Sequence, residues 1–257
     1  MRTKKIKRLL QKKMRYIEKY ASLSIAGDDE ETIHQLRVGF KKLRAFIRLA
    51  KLGATATKQL HIPFQLKKLY KQAGALRNLQ VYYHRIGSFY KNAAIDPAKI
   101  LTQIEQAKYP LFKTINHFHF HKTVKGMEGA LPKRLNSKIL RKFIRNNSKA
   151  IDKLWGTAMS DDDLHSLRKH LKDITYNVQS FHSNIQKYLP IMGKTNKEEL
   201  NKLMDILGEY HDWVACLFLL DAAGSGKAIE PIKKRWECKK CLLKRSMGIA
   251  PFNALQS

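Results

Sequence analysis

The sequence predicts an all-α protein made of two pseudo-symmetric helical bundles. Apolar residues recur at helical spacing along most of the 257 residues, and most prolines and glycines lie where these periodic segments begin or end. Strand-like alternation is confined to "NHFHFHK" at 116–122. Because apolar periodicity bounded by proline and glycine is typical of helices, we expect roughly eight to ten of them.

The first segment, 1–20, is predicted to be an amphipathic helix that buries Leu9, Leu10, Met14 and Ile17. It is strongly basic but has no continuous apolar stretch, so we do not expect a secretory signal. The longest apolar run in the chain, "WVACLFLL", is too short to span a bilayer. Membrane insertion is therefore not expected.

The number of cysteines indicates the cellular compartment in which the protein is found. Three cysteines are too few for a disulfide framework, so the expected location is the reducing cytoplasm. Cys238 and Cys241 form a lone Cys-x-x-Cys pair with no second pair at zinc spacing. We expect both to serve packing.

Capping patterns mark the starts of two helices that contain histidine. Asp28 with Glu31, and Ser160 with Asp163, have the spacing of an N-cap residue and an acid at the third helical position. Acidic residues also suit the positive end of a helix dipole. Capping therefore explains these acids better than catalysis does. We also expect the seven prolines to mark helix boundaries.

Two pairs of matching segments indicate an internal duplication. "HQLRVGFKKL" at 34–43 matches "HSLRKHLKDI" at 165–174. Downstream, "LYKQAGALRNL" at 69–79 matches "LMDILGEYHDW" at 203–213. The offsets between the two pairs are nearly constant, which favours a repeated helical unit.

The duplication predicts a single domain, 1–257, made of one repeat at 1–125 and a second at 130–257. The segment 125–134 reads as a loop between them. The matches pair Gly74 with Gly208 and Asn78 with Asp212.

The first histidine helix is predicted to be cationic on one face. With 3.6 residues per turn, His34, Arg37, Lys41, Arg44 and Arg48 fall within an arc of about 80°. The opposite face is an apolar stripe that faces the core: Leu36, Phe40, Leu43, Phe46 and Ile47. Like charges at this spacing repel one another, so the face either is solvated or meets an anion.

The second histidine helix repeats this arrangement. His165, Arg168, Lys169, Lys172 and Tyr176 share one face. The opposite face carries Leu167, Leu171, Ile174, Val178 and Phe181. The whole chain has a formal charge of +29, and a field of that sign attracts polyanions such as nucleic acid, anionic membrane or chains of phosphate.

The pattern His34-x-x-Arg37-x-x-x-Lys41, repeated from His165, resembles the CHAD family, the conserved histidine α-helical domain. "AGALRN" and "LGEYHD" are similar to the second recurring element of that family. The resemblance implies two helical bundles related by a pseudo-twofold axis. It also implies binding of inorganic polyphosphate along a basic surface, without catalysis or a cofactor, and association with polyphosphate granules.

On this basis we expect a first group of residues to bind polyphosphate: His34, Arg37, Lys41, Lys42, Arg44, Arg48, Arg77, His165, Arg168, Lys169, Lys172 and Tyr176. A second tier consists of Lys67, Lys71, Lys138, Arg141, Lys142, Arg145 and His211. The chain departs from the family pattern at Asn78, Ala73, Asp173 and Thr175. Because Asp173 and Thr175 interrupt the second basic run, the second helix is expected to bind less strongly.

Two other functions remain open at this stage. The charge also permits a nucleic-acid-binding protein, and nonspecific nucleic-acid binding in vitro is expected. A metal-dependent phosphohydrolase is suggested by His211 and Asp212 beside His34 and His165. Arginine and lysine around these histidines would repel a metal, so we expect neither a metal site nor an enzyme.

Overall fold

The computed structural model describes residues 1–27, 29–54, 60–87, 95–155, 159–181, 197–224 and 229–256. Within these ranges it has nine helices: α1 (Thr3–Ala26), α2 (Glu30–Lys51), α3 (Phe64–Ile86), α4 (Pro97–Asn116), α5 (Phe120–Glu128), α6 (Ser137–Trp155), α7 (Asp161–Phe181), α8 (Lys197–Ala222) and α9 (Glu230–Gln256). The same ranges contain only one isolated β-bridge, Arg2 with Arg134. The all-α prediction is confirmed.

Two apolar cores hold these helices together. The first is built from α1 to α5 together with the end of α8 and the start of α9, and includes Phe40, Phe46 and Trp236. The second is built from α6, α7, the first part of α8 and Met247. Because α8 contributes to both, the cores do not divide at the boundary between the two predicted repeats. The duplication itself stays a prediction.

Four helices form a closed circuit. α2 packs against α3, α3 against α8, α8 against α7, and α7 against α2. α2 and α7 are the two histidine helices, and α3 and α8 contain the glycine-bearing segments. The circuit thus brings all four matching segments around one space.

The contact between α2 and α7 depends on buried polar groups. Arg48 on α2 forms a two-pronged ion pair with Asp173 on α7, whose side chain is 4% exposed. Beside it, the Asn177 side-chain amide donates to the carbonyl oxygens of Ala45 and Asp173, each at 2.9 Å. These bonds fix how far the two helices slide along each other.

The predicted apolar stripes lie in the cores. Ile6, Leu10, Met14 and Ile17 of α1 are buried, whereas Leu9 is only partly buried. On α2 and α7, the predicted apolar faces are buried as expected; the side chain of Phe181 lies outside the described residues. None of the described helices has an apolar stretch that could cross a bilayer.

The start of α7 confirms one capping pattern. Ser160 and Asp163 bond reciprocally: the Asp163 amide donates to Ser160 Oγ at 3.2 Å, and the Ser160 amide donates to the Asp163 carboxylate at 2.9 Å. At α2 the cap is Asp29, which accepts from the Glu31 amide at 2.8 Å. The predicted cap, Asp28, lies outside the described residues.

Three smaller expectations are wrong. Pro110 lies inside α4 and Pro251 inside α9, rather than at helix boundaries. The predicted loop at 125–134 begins within α5, which extends to Glu128. Cys238 and Cys241 are exposed on α9, so they do not serve packing.

Candidate functional site

Four cations from the two histidine helices converge inside the circuit. Arg37 and Lys41 come from α2, and Arg168 and Lys172 come from α7. Each is largely withdrawn from water, and burial lowers the pKa of all four. The charges of Arg37, Lys172 and Arg168 lower the pKa of Lys41 further. We call these four residues the basic cluster.

The two arginines are held by the glycine-bearing helices. Arg37 Nη1 donates to Asn78 Oδ1 at 3.3 Å and lies 3.4 Å from the Gly74 carbonyl oxygen, both on α3. Arg168 lies against Gly208 of α8, where a methyl group would come within 3.4 Å of Nη2. The two matched sequence elements therefore meet in space, and only at Gly208 would an added side chain come against the arginine.

Both guanidinium groups retain unused donors. The Nε atoms of Arg37 and Arg168 are buried and lack a hydrogen-bond partner among the described residues. An N–H group buried without an acceptor costs about 1–3 kcal/mol.

Carboxylates only partly balance the cluster. Asp212 of α8 acts electrostatically on all four cations, and Asp205 acts on Arg168 and Lys172. Asp212, which the sequence analysis considered only as part of a hydrolase site, is thus the carboxylate that all four residues share. Positive charge remains in excess.

The lowered pKa values of the two lysines reflect their burial and this excess of positive charge. Burial, followed by repulsion from Arg37, lowers the pKa of Lys41 from 10.5 to about 6. Burial and repulsion from Arg168 lower the pKa of Lys172 to about 8. At neutral pH Lys41 is thus mostly unprotonated in the free protein, and a bound anion would favour its protonation.

The histidines at the cluster are neutral at pH 7. Burial and neighbouring cations lower the pKa of His34 and of His165. The ring of His211 lies 4.9 Å from that of His165, centroid to centroid. Burial, then His165 and Arg168, lower the pKa of His211 to about 4. Across the described residues, no three His, Cys, Asp or Glu side chains are arranged to hold a metal.

The surface beyond the cluster continues along α2. Arg44 lies over the ring of Tyr70, 4.9 Å from its centroid. Both residues line a groove of about 380 Å³ whose cations also include Lys67 and Lys51. Lys67 was a second-tier candidate, whereas Lys51 and Tyr70 were missed because nothing in the sequence shows that α2 and α3 share this groove.

Several predicted residues have other partners. Arg48 lines the same groove, but Asp173 neutralises its charge. Arg77 lies 3.4 Å from Glu30, although its charge still acts on His34 and Arg37. Lys42 lies over the ring of Tyr16 on α1, at 5.3 Å.

The remaining candidates differ in their distance from the cluster. Tyr176 is mostly buried, and Arg168 acts on its hydroxyl. Lys169 is exposed beside His165 and His170. A third set is exposed and is linked to the cluster by no described contact: Lys71, Lys138, Arg141, Lys142 and Arg145.

Comparisons with known proteins give the fold a context. A family model described as the CHAD domain matches residues 8–221. The crystal structure of the CHAD domain from the plant Ricinus communis is similar, with a TM-score of 0.70 and 17% identity over 93% of this chain and 86% of that chain. PptA from Streptomyces chartreusis has a TM-score of 0.69 and 10% identity, over 100% and 99% of the two chains. No curated protein sequence matches.

Replacing Lys41 by methionine is expected to stabilise the protein. The pKa of Lys41 in the folded state lies below its ordinary value of 10.5, so the unfolded chain binds more protons and stability rises with pH between about 6 and 10.5. Lys41→Met removes the free-energy cost of burying this amine. The free energy of unfolding at pH 7 should increase by at least about 1 kcal/mol, and the gain should shrink near pH 10. Urea titration at both pH values measures it.

The matched control is Lys71→Met on the exposed surface of α3, which should change stability little. If Lys41→Met were no more stabilising than Lys71→Met, burial and the neighbouring charges would not destabilise the charged form of Lys41, and the prediction would be wrong.

Proposed function

The chain belongs to the CHAD family, and on that premise we propose that it binds inorganic polyphosphate through the basic cluster without hydrolysing it. One observation carries the proposal. Four basic side chains from two helices lie close enough for their charges to act on one another, and Asp212 and Asp205 are the described carboxylates whose charges oppose them most. Such a concentration of charge in a partly dehydrated site suits an anion with many closely spaced charges.

Polyphosphate matches the donors of this site. Each phosphate unit presents oxygen atoms that can accept from a guanidinium fork. The Nε atoms of Arg37 and Arg168 have no hydrogen-bond partner among the described residues. Lys41 and Lys172 add point charges that can follow a flexible chain. The neutral histidines can donate one hydrogen bond each.

The groove along α2 suggests a path for a longer chain. From Arg37 to Lys51 the helix rises about 21 Å, and Arg44, Lys67 and Lys51 lie along that direction. A short phosphate chain would fill the cluster, and a longer one would reach the groove. Its association with cytoplasmic polyphosphate granules is part of the proposal.

Nucleic acid fits the site less well. Bases need aromatic platforms, and the ring of Tyr70 beside the cluster is already covered by Arg44. Catalysis of phosphate cleavage is also disfavoured. Burial, followed by the charges of His165 and Arg168, lowers the pKa of His211 to about 4. The neighbouring arginines and lysines would also repel a catalytic metal.

Polyphosphate affinity is expected to depend on the cluster rather than on total charge. Arg37→Ala or Arg168→Ala removes a charged contact of about 1.5–3 kcal/mol, which is tenfold or more in affinity. Lys4→Ala combined with Lys5→Ala removes more charge, but these exposed residues on α1 give only screened attraction. Titration of the three variants at one salt concentration measures the difference.

Circular dichroism checks that each variant keeps its helices. Similar losses in all three would show that net charge, and not the basic cluster, binds polyphosphate.

Binding is also expected to be coupled to proton uptake. Lys41 is mostly unprotonated at pH 7.5 because its pKa is about 6, and the phosphate charge should raise that pKa. Calorimetry of polyphosphate binding at pH 7.5 in two buffers of different ionisation enthalpy should reveal an uptake of about one proton per site. Affinity should fall as pH rises above neutrality.

Lys41→Met provides the control. It should abolish most of the dependence of the binding enthalpy on the buffer, whereas the protonation of polyphosphate itself is the same for both proteins. If the variant and the natural sequence took up equal numbers of protons on binding, a group other than Lys41 would be responsible and the prediction would be wrong.

A further inference from the structure

A pocket of about 360 Å³ lies between α1, α2 and α7. Three amines line it: Lys12 and Lys13 from α1 and Lys42 from α2. We propose that this pocket, which we call the lysine pocket, binds phosphate groups. Two sources could supply them, a small phosphate anion or a polyphosphate chain that continues from the basic cluster, and only the second source rests on the proposed function.

The lysine pocket and the basic cluster lie on different sides of α2. With 3.6 residues per turn, Lys42 is about 100° from Lys41 and about 140° from Arg37 around the helix. Gly39, which also lines the pocket, is about 160° from both cluster residues. Ligands at the two places would therefore contact different faces of α2.

Close packing of α1 on α2 brings like charges together in the lysine pocket. A methyl group added at Gly39 would lie 2.9 Å from the ring of Tyr16, so the two helices have little spare room there. Burial, followed by the charges of Lys42 and Lys12, lowers the pKa of Lys13 to about 8. A bound anion would favour the charged form of this amine.

No carboxylate balances the three amines in the described lining of the pocket. The other polar side chains there are hydroxyls, those of Tyr16, Tyr176 and Ser180. Lys13 Nζ donates to Ser180 Oγ at 3.3 Å, which is a neutral acceptor. Lys42 lies over the Tyr16 ring, and an ammonium group in such a contact still has N–H donors for an oxygen acceptor. Among the described residues, none forms an ion pair with any of the three lysines.

Phosphate matches this set of donors. A planar carboxylate pairs best with the fork of a guanidinium group, and the described lining of the pocket contains no arginine. Ammonium groups act as point charges without a fixed plane. A phosphate group has several charged oxygens that point in different directions, so it can accept from amines on two helices and from the hydroxyls on α7.

Tyr176 connects the lysine pocket with the basic cluster. Arg168 of the cluster acts electrostatically on the Tyr176 hydroxyl, and Tyr176 also lines the pocket. Along α7, Lys172, Tyr176 and Ser180 follow one another at intervals of four residues, which makes a stripe about 12 Å long on one side of the helix. The stripe begins at the cluster and ends in the pocket, so one chain of phosphates could occupy both.

The first measurement uses the full chain with Arg37→Ala and Arg168→Ala, which weakens phosphate binding at the basic cluster. Calorimetry should detect residual binding of tripolyphosphate, and adding Lys13→Met should weaken it about tenfold because a charged donor is lost. Lys19→Met is the matched control, since it removes the same charge from an exposed position on the same helix, outside the described lining. It should change the affinity by less than about twofold.

Circular dichroism checks that each variant keeps its helices. No residual binding of tripolyphosphate, or equal effects of Lys13→Met and Lys19→Met, would overturn the inference.

The second measurement distinguishes the two sources of phosphate in the natural sequence. If a polyphosphate chain continues from the cluster, Lys13→Met should weaken long-chain polyphosphate about tenfold and tripolyphosphate, which binds mainly at the cluster, less than about twofold. Loss of less than about twofold for both would assign the lysine pocket to a small phosphate anion. If the natural sequence bound no polyphosphate, the proposed function would be wrong, and the first measurement would still decide whether the lysine pocket binds phosphate.

Discussion

The ion pair between the partly exposed Arg48 and the buried Asp173 is the contact on which the rest of the structure depends. It fixes α2 against α7, although the facing surfaces of these helices carry four basic side chains whose positive charges disfavour one another. Removing one partner of such a pair typically costs about 3–5 kcal/mol, which is comparable with a large part of the stability of a small domain. The cluster can therefore exist before any anion binds.

Each arginine of the cluster also depends on a glycine-bearing helix. Arg37 donates to Asn78 beside Gly74, and Arg168 lies against Gly208. These contacts hold the guanidinium groups in place while their Nε atoms remain unpaired. Burial, followed by repulsion from Arg37, lowers the pKa of Lys41 beside them. Under the proposed function, a bound anion would relieve the repulsion that folding imposes on these side chains.

Much of the helical fold could be predicted from local patterns. The apolar stripes of α2 and α7 and the Ser160 cap depend on residues close in sequence, and these predictions are confirmed. Contacts between helices could not be predicted in this way. Asp173 was expected to weaken the second basic face, yet it binds Arg48. Arg48 was expected to bind phosphate, but its charge is already neutralised.

In the candidate site, too, local patterns could be predicted from the sequence but contacts between helices could not. Sequence periodicity identified the cationic faces and the matching glycine segments, but not that both faces would meet in one space. Tyr70, Lys51 and Asp205 were missed because their roles arise only from packing between α2, α3, α7 and α8. A double-mutant cycle of Arg37→Ala and Arg168→Ala on polyphosphate affinity tests this convergence most directly. One shared site predicts that the double variant loses less than the sum of the single losses, by about 1 kcal/mol or more, whereas additivity within about 0.5 kcal/mol would show two separate surfaces.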